Sequence, residues 1–266
     1  MKTLHTSESI YSPRHVPSWL LLAASAGAVN SFAFMTCQQF VTHLSGTFTQ
    51  LGMESPRAGL LFDSVAIILS FIVGATVAIV MIRPNATGVR RPRWATPLEF
   101  VALLLIGVAA AGRAGAFGPF GGTVDADEPP ILLLSLLALA MGAQNAAVAV
   151  TTGLAVRTTH VTGPATDLGI NLGGAMLSTG KERYEALRAA ALRGGKVIAF
   201  AVGAGLAVPL TAKLDYWTLA VPAFFISFAT VASFIERPAH AGAWFAWMWS
   251  PAGQPEPAGV TSQRSR

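Results

Sequence analysis

Two polar runs interrupt an otherwise apolar sequence, and each matches the other. Thr42-His43-Leu44-Ser45-Gly46-Thr47-Phe48-Thr49-Gln50-Leu51-Gly52 is answered by Thr159-His160-Val161-Thr162-Gly163-Pro164-Ala165-Thr166-Asp167-Leu168-Gly169. On a helix, Thr42, Ser45, Gly46 and Thr49 share one face, as do Thr159, Thr162, Gly163 and Thr166. Such a stripe can serve packing, because small residues let membrane helices approach and hydroxyls bond across or back to carbonyls. It can equally line a path for a polar solute or ion, and both readings stand. His43 and His160 carry a group that titrates near neutral pH and suits proton coupling; the plainer reading is a hydrogen-bonded interfacial histidine. Asp167 is the carboxylate of the second run, opposite Gln50 in the first, and is a candidate cation or proton site.

Gln144 is a candidate site residue, and Asn30 and Asn145 lie inside apolar runs, where a buried amide needs partners. They read as glue between helices or as the wall of a binding site. Asp63, Glu99 and Lys196 sit near the starts of apolar runs and read as interfacial. The single cysteine, Cys37, excludes an intrachain disulfide framework. No GxSxG, HExxH, Walker A or dinucleotide fingerprint occurs, and no Cys/His cluster has metal spacing. No catalytic residue, metal or cofactor is expected, and the chain is not expected to be an enzyme.

The elements that must hold these residues follow from composition. Of 266 residues, 53% are hydrophobic and 12% charged, about half the charge of a typical soluble domain. Mean hydropathy is +0.54. Six strongly apolar segments are predicted, at about 18–37, 63–82, 97–116, 131–150, 194–212 and 216–235. Each approaches the ~20 residues that a helix needs to cross a bilayer core. The polar runs fall in two weaker segments, about 39–55 and 155–177, directly after the first and fourth strong ones. Trp19, Trp94 and Trp217 begin three segments, the interfacial position favoured by indole rings. The net charge of +5 comes from basic residues between apolar runs, where they act as topology signals rather than nucleic-acid contacts.

Further matched blocks imply a duplication. Gly27-Ala28-Val29-Asn30 corresponds to Gly142-Ala143-Gln144-Asn145, and Phe71-Ile72-Val73-Gly74-Ala75 to Phe200-Ala201-Val202-Gly203-Ala204. The blocks keep their order, and their separation grows in one direction, as loop insertions would produce. The first apolar stretch, with Lys2 and Arg14 before it and Ala24-Ser25-Ala26 within it, resembles a leader peptide. Its copy later in the chain makes it an element of the fold.

Arg83, Arg90, Arg91 and Arg93 follow the second strong segment, Lys181, Arg183, Arg188 and Arg193 precede the fifth, and Asp125, Asp127 and Glu128 lie between the third and fourth. If the weak segments do not span, both basic clusters and both termini fall on the cytoplasmic side and the acidic loop outside, as the positive-inside rule requires. If both span, the four-Arg cluster falls outside. The expected fold is therefore an all-α integral membrane protein with six transmembrane helices, two half-crossing or broken segments and an inverted two-fold repeat. The competing plan has four spans per half and parallel copies. Residues 1–17 form a cytoplasmic segment, 18–117 repeat 1, 118–130 an external acidic loop, 131–236 repeat 2 and 237–266 a flexible cytoplasmic tail. In that tail Trp244, Phe245, Trp247 and Trp249 suit a membrane surface. The Gly163-Pro164 step predicts a helix restarting at Pro164, with Thr162 or Gly163 as its cap. Half-helices of ~14 Å entering from both faces would meet near the midplane. Their N-terminal partial charges would face a bound polar or anionic group.

Gly27 with Asn30, Ser45-Gly46, the run Met141-Gly142-Ala143-Gln144-Asn145-Ala146, and Thr162-Gly163 with Asp167-Leu168 resemble the YoaK-type family of bacterial inner-membrane proteins, a family of unknown function. The resemblance covers about Trp19 to Phe234. It departs where the family tends to Thr-Gly-Asn, since this chain has Ser45-Gly46-Thr47 and Thr162-Gly163-Pro164, and where the family often has Asp, since this chain has Asn30. The last difference puts charge coupling in doubt. The resemblance implies a bacterial inner membrane and no substrate.

The expected function is a small-solute transporter or permease with its site between the repeats. A passive channel and a non-transporting scaffold or sensor subunit are the alternatives. Expected partners are the lipid bilayer, a small solute or ion and, for so small a bundle, a second copy in a homodimer; nucleic acid is not expected.

Overall fold

The computed structural model describes residues 3–6, 8–54, 58–83, 93–118, 120 and 130–234. Among these residues the fold is all-helical. It comprises α1 (Val16–Cys37), α2 (Leu44–Glu54), α3 (Ala58–Ile82), α4 (Thr96–Arg113), α5 (Ile131–Thr151), α6 (Thr162–Leu177), α7 (Gly180–Leu214) and α8 (Ala220–Ser233). Short 3-10 turns at Ser9–Tyr11 and Asp215–Leu219 complete it. Met1–Ile235 form one compact unit. The expected flexible tail and most of the acidic loop lie outside the described residues.

Among the described residues, five stretches are long and apolar enough to cross a membrane: Val16–Cys37, Phe62–Ile82, Thr96–Arg113, Ile131–Thr151 and Gly180–Ser233. The fifth and sixth predicted spans fall together in the last of these. A 3-10 turn at Asp215–Leu219 divides it, leaving α8 with only 14 residues. Outward apolar side chains such as Leu69, Ile72, Val73, Ile198, Val202 and Phe224 are exposed, as lipid-facing surfaces require.

Two helix pairs dominate the packing, α1 with α7 and α3 with α5. Both are set by glycine. A side chain at Gly27 would run into the carbonyl of Phe200, and one at Gly203 into that of Ala24. In the other pair, Gly142 meets the Phe71 carbonyl and Gly74 the Leu139 carbonyl. Backbones touch only where both helices omit Cβ, and dispersion between them replaces the hydrophobic drive that lipid removes. Ala78 and Ala207, four residues on, are buried as well. Gly169 and Gly173 have the same four-residue spacing of small residues but meet nothing within 4 Å.

The helix ends sort into two groups. At one end the backbone N–H of His5 donates to Thr151 at the end of α5 (3.0 Å). Ser18, at the start of α1, meets Ser233 at the end of α8 (2.7 Å). Leu20 packs on Gly195 of α7, so α1 and α7 start on the same side. At the opposite end, Tyr216 after α7 packs on Gly112 of α4 and lies 6.1 Å from the ring of Phe32 of α1. Helices α1, α4 and α7 therefore run one way and α5 and α8 the other. Helix α3 ends beside the start of α4, where Arg93 N–H donates to the Ile82 carbonyl (3.2 Å).

Residues 3–6 and 8–15 form a strap across the first end. The indole N–H of Trp19 donates to the Ile10 carbonyl (2.9 Å), His15 Nδ1 meets Ser233 Oγ (2.9 Å), and Arg188 and Arg193 donate to Tyr11. Trp19 is thus fully buried rather than interfacial, and Trp94 is buried too; only Trp217 of the three is exposed. The strap covers the first indole because Phe234 and His5 close around it edge-on.

Candidate functional site

The polar runs hold their residues through two returning loops. After Cys37 the chain reverses at Gln38, which takes a left-handed φ of 55°. The backbone N–H groups of Val41 and Thr42 then both donate to Asn30 Oδ1 at 3.1 Å. Asn30 lies seven residues before the end of α1, so the loop has come back about 10 Å along the helix. The second loop mirrors this. Gly153 and Leu154 take positive φ, and Thr158 returns to the level of Gln144, whose Nε2 donates to its hydroxyl (3.1 Å). Gln144 Nε2 also donates to the Leu22 carbonyl (2.8 Å), and Ser25 Oγ donates to Gln144 Oε1 (3.3 Å), tying α5 to α1. On α1 the two loop tips lie beside Leu22–Ser25 and Asn30, a separation of roughly 8–12 Å of rise.

Among the expected site residues, Asn30, Thr42, Gln144 and Thr159 are buried and Asn145 is half-buried. The Thr42 hydroxyl and Asn145 Oδ1 are enclosed with no hydrogen-bond partner among the described residues. The stripes behave differently. Ser45, Gly46 and Thr49 are exposed on α2, and Thr162 and Thr166 on α6, with Gly163 half-buried beside His160. Thr49 donates back to the Ser45 carbonyl (2.9 Å) and Thr166 to that of Thr162 (3.1 Å), so these hydroxyls are satisfied within their own turns. His43 and His160 are exposed; His43 packs edge-on against Phe40. Helix α2 packs on α3 and α6 on α7. The structure thus brings together the loop tips and their amides, and it leaves the stripes on separate outer faces.

Two expectations need correcting, on Pro164 and Lys196. Helix α6 begins at Thr162, with Val161 as cap, so Pro164 is its third residue rather than its first. Its missing N–H still falls in the turn whose donors no helix uses. Asp167, the candidate cation or proton site, is exposed on α6 with Arg193 Nε 3.5 Å from its carboxylate. Lys196 is not interfacial but only 6% exposed, and its Nζ donates to the Arg157 carbonyl in the second loop (3.1 Å). An ammonium inside an apolar run needs such a partner, and that signal was readable in the sequence.

Sequence reasoning gave no sign of a second feature, at the end opposite the strap. Gly112, Arg113, Gly115, Gly118, Phe120, Asp215 and Tyr216 line an open cavity of about 410 Å³. The Tyr216 hydroxyl donates to the Gly118 carbonyl (3.3 Å), and the Arg113 guanidinium lies 3.8 Å from the Asp215 carboxylate. Asp215 closes α7 at φ 49°, ψ −128°. A non-glycine residue held there costs roughly 1–3 kcal/mol. No metal-type cluster of His, Cys, Asp or Glu occurs among the described residues.

A family model described as "Protein of unknown function (DUF1275)" matches residues 18–232, in agreement with the YoaK-type resemblance. No curated protein and no solved structure matches the chain.

Proposed function

The chain belongs to the DUF1275 family, whose function is unknown, and from its own geometry we propose that it is a small-solute transporter or permease of the bacterial inner membrane. In this reading it is an inverted duplication with six spans and two half-crossing segments. Its site lies between the loop tips, walled by Asn30, Thr42, Gln144, Asn145 and Thr159.

The observation that carries the proposal is the pair of glycine crossings. Gly27 and Gly203 join α1 to α7, and Gly142 and Gly74 join α5 to α3. These are the positions that the sequence blocks equate, and even the carbonyls opposite them, of Phe200 and Phe71, are equated. Opposite running directions for α1 and α5, with α2 and α6 each flanked by helix ends on one side, support inversion over parallel copies. Arg14, Arg83, Arg93, Arg157, Lys181, Arg183, Arg188 and Arg193 belong to the strap end or the segments joined to it, which supports a cytoplasmic strap. Enclosed oxygens without a partner among the described residues, Thr42 Oγ1 at the first loop tip and Asn145 Oδ1 on α5, support a polar occupant.

Flux into proteoliposomes tests the reading. Saturable uptake driven by a pH or ion gradient is the expected result, with uptake reduced at least about tenfold in Gln144→Leu. Non-saturating flux would make the protein a channel. Absence of flux across a broad solute panel would refute transport.

A further inference from the structure

We infer that the cavity at the end of α4 binds a small zwitterion, with its anionic group on Arg113 and its cationic group on Asp215. The two charges face the same space from different helices, Arg113 from the last turn of α4 and Asp215 from the end of α7. At 3.8 Å their closest atoms attract without a direct hydrogen bond. A molecule carrying both signs a few ångströms apart would replace this one long contact by two short charge-assisted ones. A simple anion or cation would satisfy one partner and strip the other of its counter-charge.

The rest of the cavity fits such a guest. Its volume of about 410 Å³ lies within the usual range of ~300–1,000 Å³ for small-molecule sites. Phe120 and Tyr216, 5.2 Å apart and edge-to-face, give it an apolar wall. The Tyr216 ring is held from both sides. Its hydroxyl is bonded to Gly118, and its edge fills the space that a side chain at Gly112 would need. Gly115 and Gly118 take φ of 89° and 81°, which a side chain would oppose, so the floor is bare backbone. The strained backbone at Asp215 fixes its carboxylate at the rim, and strain of this kind is retained where position matters.

The site stands apart from the loop tips, and the inference does not depend on transport. Isothermal titration of the full chain in lipid nanodiscs tests it, with alanine, acetate and methylammonium as probes. Alanine is expected to bind, and both single-charge probes to bind about tenfold or more weakly. Arg113→Ala and Asp215→Gly should each weaken alanine by a similar factor. Asp215→Gly also relieves the positive φ, so an unchanged or raised melting temperature with lost binding separates the site from the fold. No alanine binding at millimolar concentration, acetate binding as tightly as alanine, or unchanged affinity in both variants would overturn the inference.

Discussion

The Asn30 carboxamide accepts two backbone N–H groups from residues that lie between helices and have no ladder of their own. Removing that acceptor in Asn30→Leu leaves buried donors unpaired, for a loss of about 1–3 kcal/mol. In that background a cysteine at Thr42 should react readily with a maleimide, while Asn30→Asp should keep it protected; equal labelling of the two would refute the anchoring role. An Asp here would accept the same two bonds, so the departure from the family pattern preserves the anchor. That Asn30 needed partners was legible in the sequence. Which partners it finds was not, because that depends on how far the loop returns. His5 was illegible for a similar reason. Its ring lies 4.6 Å from His15, 5.0 Å from Trp19 and 5.7 Å from Phe234, the last distant in sequence. Burial, with His15 and Arg14 adding to it, pushes its pKa down from 6.5 to about 4. Burial and then Arg14 lower that of His15 as well. A depressed histidine is neutral in the fold, so its contribution is intact above pH 6.5 and is lost as pH falls toward 4. The full loss is at most ~3 kcal/mol. Melting temperatures of the parent should fall below those of His5→Phe over that window, and parallel curves would refute the effect.

Among the elements, the helix crossings were the most legible. Gly74/Ala78 and Gly203/Ala207 have the four-residue spacing of small residues that lets membrane helices approach, and all four are buried. Gly169 and Gly173 have the same spacing and no contact; spacing states that a close approach is allowed, not that a neighbour is there. The break after α7 was legible too: the sequence places it between 212 and 216, and the helix ends at Leu214, where Asp215 takes a positive φ and a 3-10 turn follows. Gly27→Ala and Gly142→Ala each place a methyl against a carbonyl of the crossing helix. Both should destabilise, by about 1–3 kcal/mol or more, and by similar amounts if the two crossings are equivalent. Thermal unfolding in detergent reads this directly. A large loss in one and none in the other would contradict equivalence.

For the whole molecule, alternating runs and charge clusters predicted helices of membrane-crossing length, and the described residues contain five such stretches. Orientation is the part still proposed. In a Cys37→Ala background, a cysteine at Arg183 should be labelled from the cytoplasmic side and one at Ala114 from the outside. The reverse pattern would overturn the assignment, and labelling of both from one side would refute inversion. The strap adds a constraint of another kind. His15 and Ser18 are fastened to Ser233, 218 and 215 residues away, so they leave the ribosome long before the residue they dock on. Until α8 is in place, Trp19 lacks the Phe234 wall and the first helix waits with an open end. Synthesis and closure of this bundle therefore run in opposite orders, and any stall before residue 233 leaves that end unsealed.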